Sequence, residues 1–270
     1  MANLYYADGL TDADFVVGEL VEVTGDEAHH AVRVSRLRVG EQILVGNGQG
    51  CIGEGEVEVA DRDRFAVRMR TVTAANSSNG QDSPELVLVQ ALAKGDRDDR
   101  AVEQATEFGV DAIIPWQAER SVSRWSGSSE KADKGREKWQ RIAREAAKQS
   151  LRPRIPGVRP LTSLAGLCEL AAQEDVAVVA LHPRGNNPLS EWAAALAAGE
   201  GRAAGEGRAA GSAIRRILLV VGPEGGFSDA ELDRLEAAGA QVAVLGQTVL
   251  RTSSAGPAAI AVLNLALGRW

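Results

Sequence analysis

The chain has 270 residues, 44% of them hydrophobic, and a formal net charge of −7. That length exceeds the usual size of one domain and predicts two, and the acidic balance taken alone argues against a polyanionic partner. No apolar run is long enough to span a bilayer, and the acidic start, MANLYYADGLTDADF, lacks the charged-then-apolar order of a secretory signal, so a cytoplasmic location is expected. Cys51 and Cys168 lie far apart with no CxxC or Cys/His spacing. A disulfide framework or zinc site therefore has little support, both thiols are expected reduced and structural, and no metal is expected.

Residues 15–73 hold short alternating segments, FVVGELVEV, EQILVGN, GEGEVEVA and RFAVRMRTV, separated by Gly- and Asp-containing turns. This is the pattern of a small antiparallel β-barrel, predicted to occupy residues 1–73. One short helix interrupts it, with Asp26 a plausible N-cap for EAHHAVRVSR, which sets Arg33 and Arg36 about one turn apart. Residues 74–83, AANSSNGQDS, are polar and free of large apolar groups, and read as a linker.

From residue 84 to 270 the rhythm becomes strand then helix. ELVLVQAL, RDDRAVEQATEFGV, DAIIPW and the basic KGREKWQRIAREAAKQS come first; after a Pro-rich crossing follow SLAGLCELAAQ, DVAVVALH, LSEWAAALAA, RILLVV, DAELDRLEAAG, QVAVLG and a final helix. Such alternation predicts a mostly parallel sheet with helices on both faces. GEGRAA occurs twice within residues 199–210, too short a unit for a solenoid, and reads as a flexible, locally duplicated loop.

Four motifs invite chemistry. GNGQG at 46–50 superficially resembles a dinucleotide loop, but a strand-like segment follows it and Asn47-Gly48 is a hairpin signal. His29 and His30 are adjacent on a helix, so their side chains diverge by about 100° and no acidic or Cys cluster joins them. Between Ile217 and Leu250, two apolar runs each end in an atypical turn, at the strand ends where α/β proteins bind ligands. The first turn, GPEGG, is glycine-rich yet carries Glu224 and lacks the Lys and Ser/Thr of a phosphate loop, so it suits a ligand offering donors better than a phosphate. Ser228 and Glu231 form a capping box after it, and a capped turn alone would account for the motif. The second, LGQTVLRTSSAG, carries Leu250 and Arg251 between strand and helix, where apolar residues normally pack against something. The helix after it is apolar on nearly every side, with Asn264 its polar interior residue, and is expected to be buried all round, in part by a second subunit.

Charge is unevenly distributed. Residues 120–159 hold twelve Lys/Arg against four Asp/Glu, together with Trp125 and Trp139. This segment reads either as a solvated helix face with pairs such as Glu137–Arg141 or as a polyanion-binding strip.

KGDRDDRAVEQATEFGVDAIIPWQAERSV, WQRIAREAAKQSLRPRIP, VGPEGGFSDAEL, VLGQTVLRT and HHAVRVSRLRVGE occur in one order over nearly the whole chain, and together they resemble the RsmE family, the bacterial 16S rRNA uracil-N3 methyltransferases of the SPOUT superfamily. The resemblance implies a PUA-like barrel for RNA docking, then a SPOUT α/β domain whose parallel sheet ends in a C-terminal trefoil knot. It also implies a homodimer, S-adenosylmethionine (SAM) as cofactor, and 16S rRNA, in an assembled or nearly assembled small subunit, as partner. On that template the cofactor residues are Leu181, His182, Gly222, Pro223, Glu224, Gly225, Gly226, Leu245, Gly246, Leu250 and Thr252, with Pro183 beside them. The RNA contacts implied are Arg33 and Arg36 on the barrel, and Lys94, Arg97, Arg124, Gln149 and Arg152 on the catalytic side; Arg97 and Glu103 could instead support a helix start, and Gln149 a helix end. Arg251 is the implied catalytic residue, steadying the uracil anion or gripping a neighbouring phosphate. Many relatives follow that arginine with T-E-T, whereas this chain has Thr252-Ser253-Ser254, which removes a carboxylate and leaves the general base unassigned. Relatives often begin with an arginine before paired aromatics, whereas this chain has Asn3-Leu4-Tyr5-Tyr6, without that arginine and the RNA contact it would make. A non-catalytic RNA-binding or ribosome-assembly protein on the same fold, or a SPOUT enzyme acting on another RNA, are the rival readings.

Overall fold

The computed structural model describes residues 3–74, 83–125, 128–198 and 214–270. Apart from its first and last residues, the expected linker lies outside the described residues, as does the GEGRAA repeat. The chain divides into two compact units, Met1–Gln81 with Arg144–Ile155, and Asp82–Ala143 with Pro156–Trp270.

The first unit is built on a five-stranded sheet of β1 (Leu4–Tyr6), β2 (Leu20–Thr24), β3 (Gln42–Gly46), β4 (Cys51–Ala60) and β5 (Arg64–Ala74), ordered β1-β3-β4-β5-β2. Pairing is antiparallel except for β1 with β3, which is parallel. Three residues are too few to show alternation, so β1 was not legible as a strand, yet Leu4, Tyr5 and Tyr6 are all buried. The long β4–β5 pair shifts register at Glu54/Gly55 and Val57/Val59. A Cβ on Gly55 would run into the Arg68 carbonyl, so glycine lets the strands approach where the sheet bends. FVVGELVEV forms a strand only from Leu20: a single helical turn at Asp12–Asp14 and a left-handed Gly18 (φ +91°) break the run before it.

The interrupting helix α1 (Gly25–His29) starts from Thr24 rather than Asp26 and continues as a wider turn through His30–Val34, closed by Ser35 N–H to His30 O. Arg33 lies in that turn, but Arg36 falls beyond it in the left-handed region (φ +56°), so the two are not successive positions of one regular helix.

Arg144–Ile155, which contains the last turns of α3 (Ser129–Gln149), belongs to this unit. Lys148 Nζ meets Glu27 at 2.6 Å with both side chains nearly buried, Arg144 pairs with Asp8, and Tyr6 O–H donates to Arg152 O at 2.6 Å. Burial of the Tyr6 phenol raises its pKa against the lowering effect of Arg152 and Arg144. Gln149 and Arg152, expected on the catalytic side, therefore sit in the unit that holds the barrel.

The second unit is a seven-stranded parallel sheet of β6 (Glu85–Ala91), β7 (Ala112–Trp116), β8 (Gly157–Val158), β9 (Val176–Leu181), β10 (Asn187–Pro188), β11 (Arg216–Val221) and β12 (Gln241–Val244). Its order is β10-β12-β9-β11-β6-β7-β8. The central strands are buried on both faces, which is why they read as unbroken apolar runs. Leu86, Leu88, Ile113, Ile217 and Leu219 pack on one face under α2 (Arg97–Glu107), α3, α5 (Leu189–Ala197) and α7 (Thr252–Ala266). Val87, Val89, Ile114, Leu218 and Val220 pack on the other under α4 (Leu164–Ala171) and α6 (Asp229–Ala237). Because β9, β11 and β12 are parallel, their C-terminal ends open on one edge, and that edge carries the site.

Much of the basic strip is spoken for. Trp125 and Trp139 are buried against each other, ring centroids 5.1 Å apart. Lys134 pairs with Glu130, Arg136 with Asp133, Lys138 with Asp99 and Arg159 with Glu85. The helix-face pairs that form are thus Lys134–Glu130 and Arg136–Asp133, one turn earlier than the expected Glu137–Arg141.

Helix α7 is buried on one side within its own chain. Gly256, Pro257, Ile260, Leu263 and Asn264 are buried, and Asn264 Nδ2 donates to Phe108 O at 2.7 Å. Its other side is not fully covered by the described residues: Ala258, Ala261 and Val262 are half-buried and Leu265 is 67% exposed. Among the described residues no helix is long and apolar enough to cross a membrane.

Candidate active site

Three loops, each leaving the end of a parallel strand, form the site. After β9, His182 N–H donates to Ala243 O at 3.1 Å, and His182 Nδ1 accepts from Arg184 N–H at 3.1 Å. Arg184 also binds Asp233 at 2.8 Å and Glu236, both on α6, which straps the loop down. The His182 ring meets Phe227 edge-on at 5.9 Å. Burial, then Arg184 and Arg120, push its pKa below 6.5 against the opposing pull of Asp229, so at neutral pH it is an uncharged imidazole. With Nδ1 accepting, the proton resides on Nε2.

After β11 the glycine turn Gly222–Gly226 is closed by Gly226 N–H to Pro223 O at 2.9 Å, with Gly226 at φ +66°. The predicted capping box is present: Ser228 Oγ accepts from Glu231 N–H, and Glu231 Oε2 from Ser228 N–H. Glu119, just past β7, accepts from Ser228 Oγ at 2.6 Å. A Cβ on Gly222 would press on the Phe227 ring at 3.0 Å, so glycine lets the turn pack against that ring.

Glu224 has a protein partner rather than an open face. Its Oε1 accepts from Arg97 Nη1 at 2.6 Å and from Lys94 N–H at 2.8 Å. Burial favours its neutral form, but hydrogen bonds from its own N–H, Arg97 and Lys94 N–H outweigh that and hold its carboxyl below the usual range. The donors that the sequence left to a ligand are thus supplied in part by the start of α2. Arg97, expected to meet RNA, stands in the cavity wall.

After β12, residues Leu245–Leu250 lead to Arg251, the N-cap position of α7. Thr252 is buried at the junction: its Oγ1 donates to Gly222 O at 2.7 Å and accepts from Gln90 Nε2 at 2.9 Å. One hydroxyl thereby joins the end of β6, the glycine turn and the first turn of α7.

The three loops enclose a cavity of about 760 Å³. All the residues assigned to a cofactor from the sequence, Leu181, His182, Gly222 through Gly226, Leu245, Gly246, Leu250 and Thr252, line it, with Pro183, Arg97 and Arg251. Of the RNA candidates, Lys94 and Arg124 lie exposed in this unit, and in the other Arg33, Arg36 and Gln149 are exposed and Arg152 half-buried. Sequence reasoning missed Arg120, whose Nη1 donates to Gly225 O at 3.0 Å, as well as Gln90 and Glu119. Arg120 had been visible only as one charge of the basic strip.

Residues 81–264 match the RNA methyltransferase domain family, and residues 23–69 the RNA methyltransferase PUA domain family. The chain is 38% identical, over all of its length and 94% of the relative's, to ribosomal RNA small subunit methyltransferase E of Mycobacterium bovis. It is 31% identical to the protein of that name from Bacillus subtilis, over 90% of this chain and 88% of the relative. Among solved structures, a methyltransferase of Legionella pneumophila in complex with SAM aligns over 98% of both chains at 27% identity and a TM-score of 0.75. Ribosomal RNA small subunit methyltransferase E of Neisseria gonorrhoeae bound to SAM aligns over 98% of both at 25% identity and 0.74. With the parallel sheet, the curled N-terminal sheet and the loop-walled cavity in place, the chain belongs to the ribosomal RNA small subunit methyltransferase E family.

Proposed function

We infer that this protein transfers a methyl group from SAM to N3 of one uridine in 16S rRNA of the small ribosomal subunit. The observation that carries this reading is the cavity at the ends of β9, β11 and β12. Its volume, about 760 Å³, falls within the range of small-molecule sites. Leu181, Val221, Leu245 and Leu250 offer apolar faces for a flat base, and the glycine turn offers backbone groups for its edge. Such a lining fits SAM, which when bound supplies an electrophilic methyl on a sulfonium.

The chain's own residues then account for most of what remains. Glu224 is the one acidic residue of the cavity lining among the described residues, and its Oε1 is engaged by both Arg97 and Lys94 N–H. Neutral His182, with its proton on Nε2, is a donor rather than a base. Arg251 differs from the other cavity arginine: among the described residues its guanidinium has no recorded protein partner, and it is exposed at the start of α7. It stabilises the anion that N3 becomes on losing its proton to solvent, spread over the flanking carbonyl oxygens, so that no side chain need be a strong base. Ser253 in place of the family carboxylate is consistent with this division of labour.

RNA docking is assigned to the barrel through Arg33 and Arg36, assisted by Lys94, Arg124, Gln149 and Arg152. The trefoil knot is supported by the strand order: the chain passes from β11 beyond β9 to β12, then returns to lay α7 on α2, β6 and β11. The uncovered side of α7 supports a homodimer that buries Ala258, Ala261, Val262 and Leu265. The enzyme acts in the cytoplasm, on assembled or nearly assembled subunits.

The test is transfer from labelled SAM to small subunits of cells lacking the enzyme, with mapping of the modified base. Label on uracil N3 of 16S rRNA is expected; label on a ribose or in tRNA overturns the reading.

A further inference from the structure

Two arginines from neighbouring connections grip adjacent residues of the glycine turn. Arg97, the first residue of α2, binds the Glu224 carboxylate at 2.6 Å, and Lys94 N–H, in the same connection, reaches the same oxygen at 2.8 Å. Arg120, in the connection that leaves β7, donates to Gly225 O at 3.0 Å. The fit is close: a Cβ on Gly225 would stand 3.1 Å from Arg120 Cβ. A short glycine-rich turn has little stiffness of its own and loses much backbone entropy when ordered. Charge-assisted hydrogen bonds to two successive residues meet that need in advance of any ligand.

We propose that Arg97 and Arg120 are positioning residues that clamp the Gly222–Gly226 turn in its cofactor-receiving shape. Neither touches the reacting atoms. This proposal rests on the reading of the cavity as the SAM site, and it reassigns Arg97 from RNA contact to turn support. The grip on Glu224 also explains why a carboxylate can stand in a methyl-donor pocket without repelling a carboxylate or ribose oxygens from it: its charge is matched by Arg97.

The clamp predicts a specific split. Arg97→Gln and Arg120→Gln should each weaken SAM binding by about tenfold, the effect of losing one charge-assisted hydrogen bond. RNA affinity and its salt dependence should be unchanged, and KM for SAM should move more than kcat. Arg97→Lys should recover part of the loss, since it keeps a cation beside Glu224. In a double-mutant cycle with Glu224→Gln, the pair should lose no more than Arg97→Gln alone.

The experiment is calorimetric titration of SAM into the full-length wild type and these variants, with RNA binding measured at several salt concentrations. Wild type that fails to bind SAM overturns both this proposal and the reading beneath it. Wild type that binds, beside Arg→Gln variants of unchanged SAM affinity, overturns the clamp alone. So does a fall in the salt slope of about one per arginine, the mark of a lost phosphate contact. If an Arg→Gln variant does not fold, Glu224→Gln, which keeps the side-chain shape, decides: unchanged SAM affinity there overturns the clamp.

Discussion

Replacing Thr252 by Val keeps the side-chain volume and removes one buried hydroxyl. Two partners lose it: Gly222 O, bonded at 2.7 Å, and Gln90 Nε2, at 2.9 Å. Gln90 keeps a second acceptor in Ala91 O at 3.1 Å, so its loss is that of one ordinary hydrogen bond, about 1 kcal/mol. Gly222 is buried, and its carbonyl left without that donor costs about 1–3 kcal/mol. Together these put Thr252→Val near 3 kcal/mol of destabilisation, whereas Thr252→Ser, which keeps the hydroxyl and loses a methyl, should cost only about 1 kcal/mol. For a unit of this size the Val variant should melt roughly 6–12 °C lower than wild type. The protein offers a selective probe: Trp116, Trp125, Trp139, Trp192 and Trp270 all lie in the α/β unit, so tryptophan fluorescence follows its unfolding and not the barrel's. A Val variant as stable as the Ser variant would refute the assignment of the hydroxyl as the joint between β6, the glycine turn and α7.

Three further outcomes are expected. Arg251→Ala should abolish methyl transfer while leaving the melting curve and SAM affinity intact, since among the described residues its guanidinium holds nothing else in place; retained turnover would remove its catalytic role. His182 binds protons less readily in the folded protein than in the unfolded chain, so its contribution to stability is fully present above pH 6.5 and is lost as pH falls from there through its lower folded pKa. His182→Gln should flatten stability against pH across that window, and an unaltered profile would contradict the assignment of a half-buried neutral imidazole. Leu265→Glu places a charge on the open side of α7 and should convert a dimer to monomers by sedimentation, whereas a wild type that is already monomeric would leave that face without its proposed partner.

The α/β unit was the more legible half of the sequence. Its central strands are buried on both faces, so RILLVV and DVAVVALH show as uninterrupted apolar runs, and each helix between them carries its own amphipathic stripe or cap. The N-terminal unit was harder. A three-residue β1 has no period to detect, and FVVGELVEV alternates well enough to suggest a strand although Gly18 turns the chain within it. The basic strip misled in another way. Composition counts charges but not their partners, and many of those in 120–159 are matched by carboxylates from elsewhere in the sequence, such as Asp99 and Glu85.

The site divides along the same line. Loops that follow strand ends are findable, because strands are findable, and every residue assigned to the cavity came from that rule joined to the family resemblance. What could not be read were contacts whose two ends are more than a hundred positions apart. The sequence presents Glu224 as an unmatched carboxylate in a ligand turn and Arg97 as a surface cation, and either reading is reasonable for one residue considered alone. Only the parallel pairing of β6 with β11, which sets their C-terminal ends side by side, brings the two together. The same pairing aligns Gln90 with Val221 and so sets Gln90 beside the turn where Thr252 joins it. The chemistry of this pocket therefore depends less on the motifs themselves than on the strand order that makes neighbours of them, and a substitution at Arg97 or Gln90 should register first in how the turn holds its ligand.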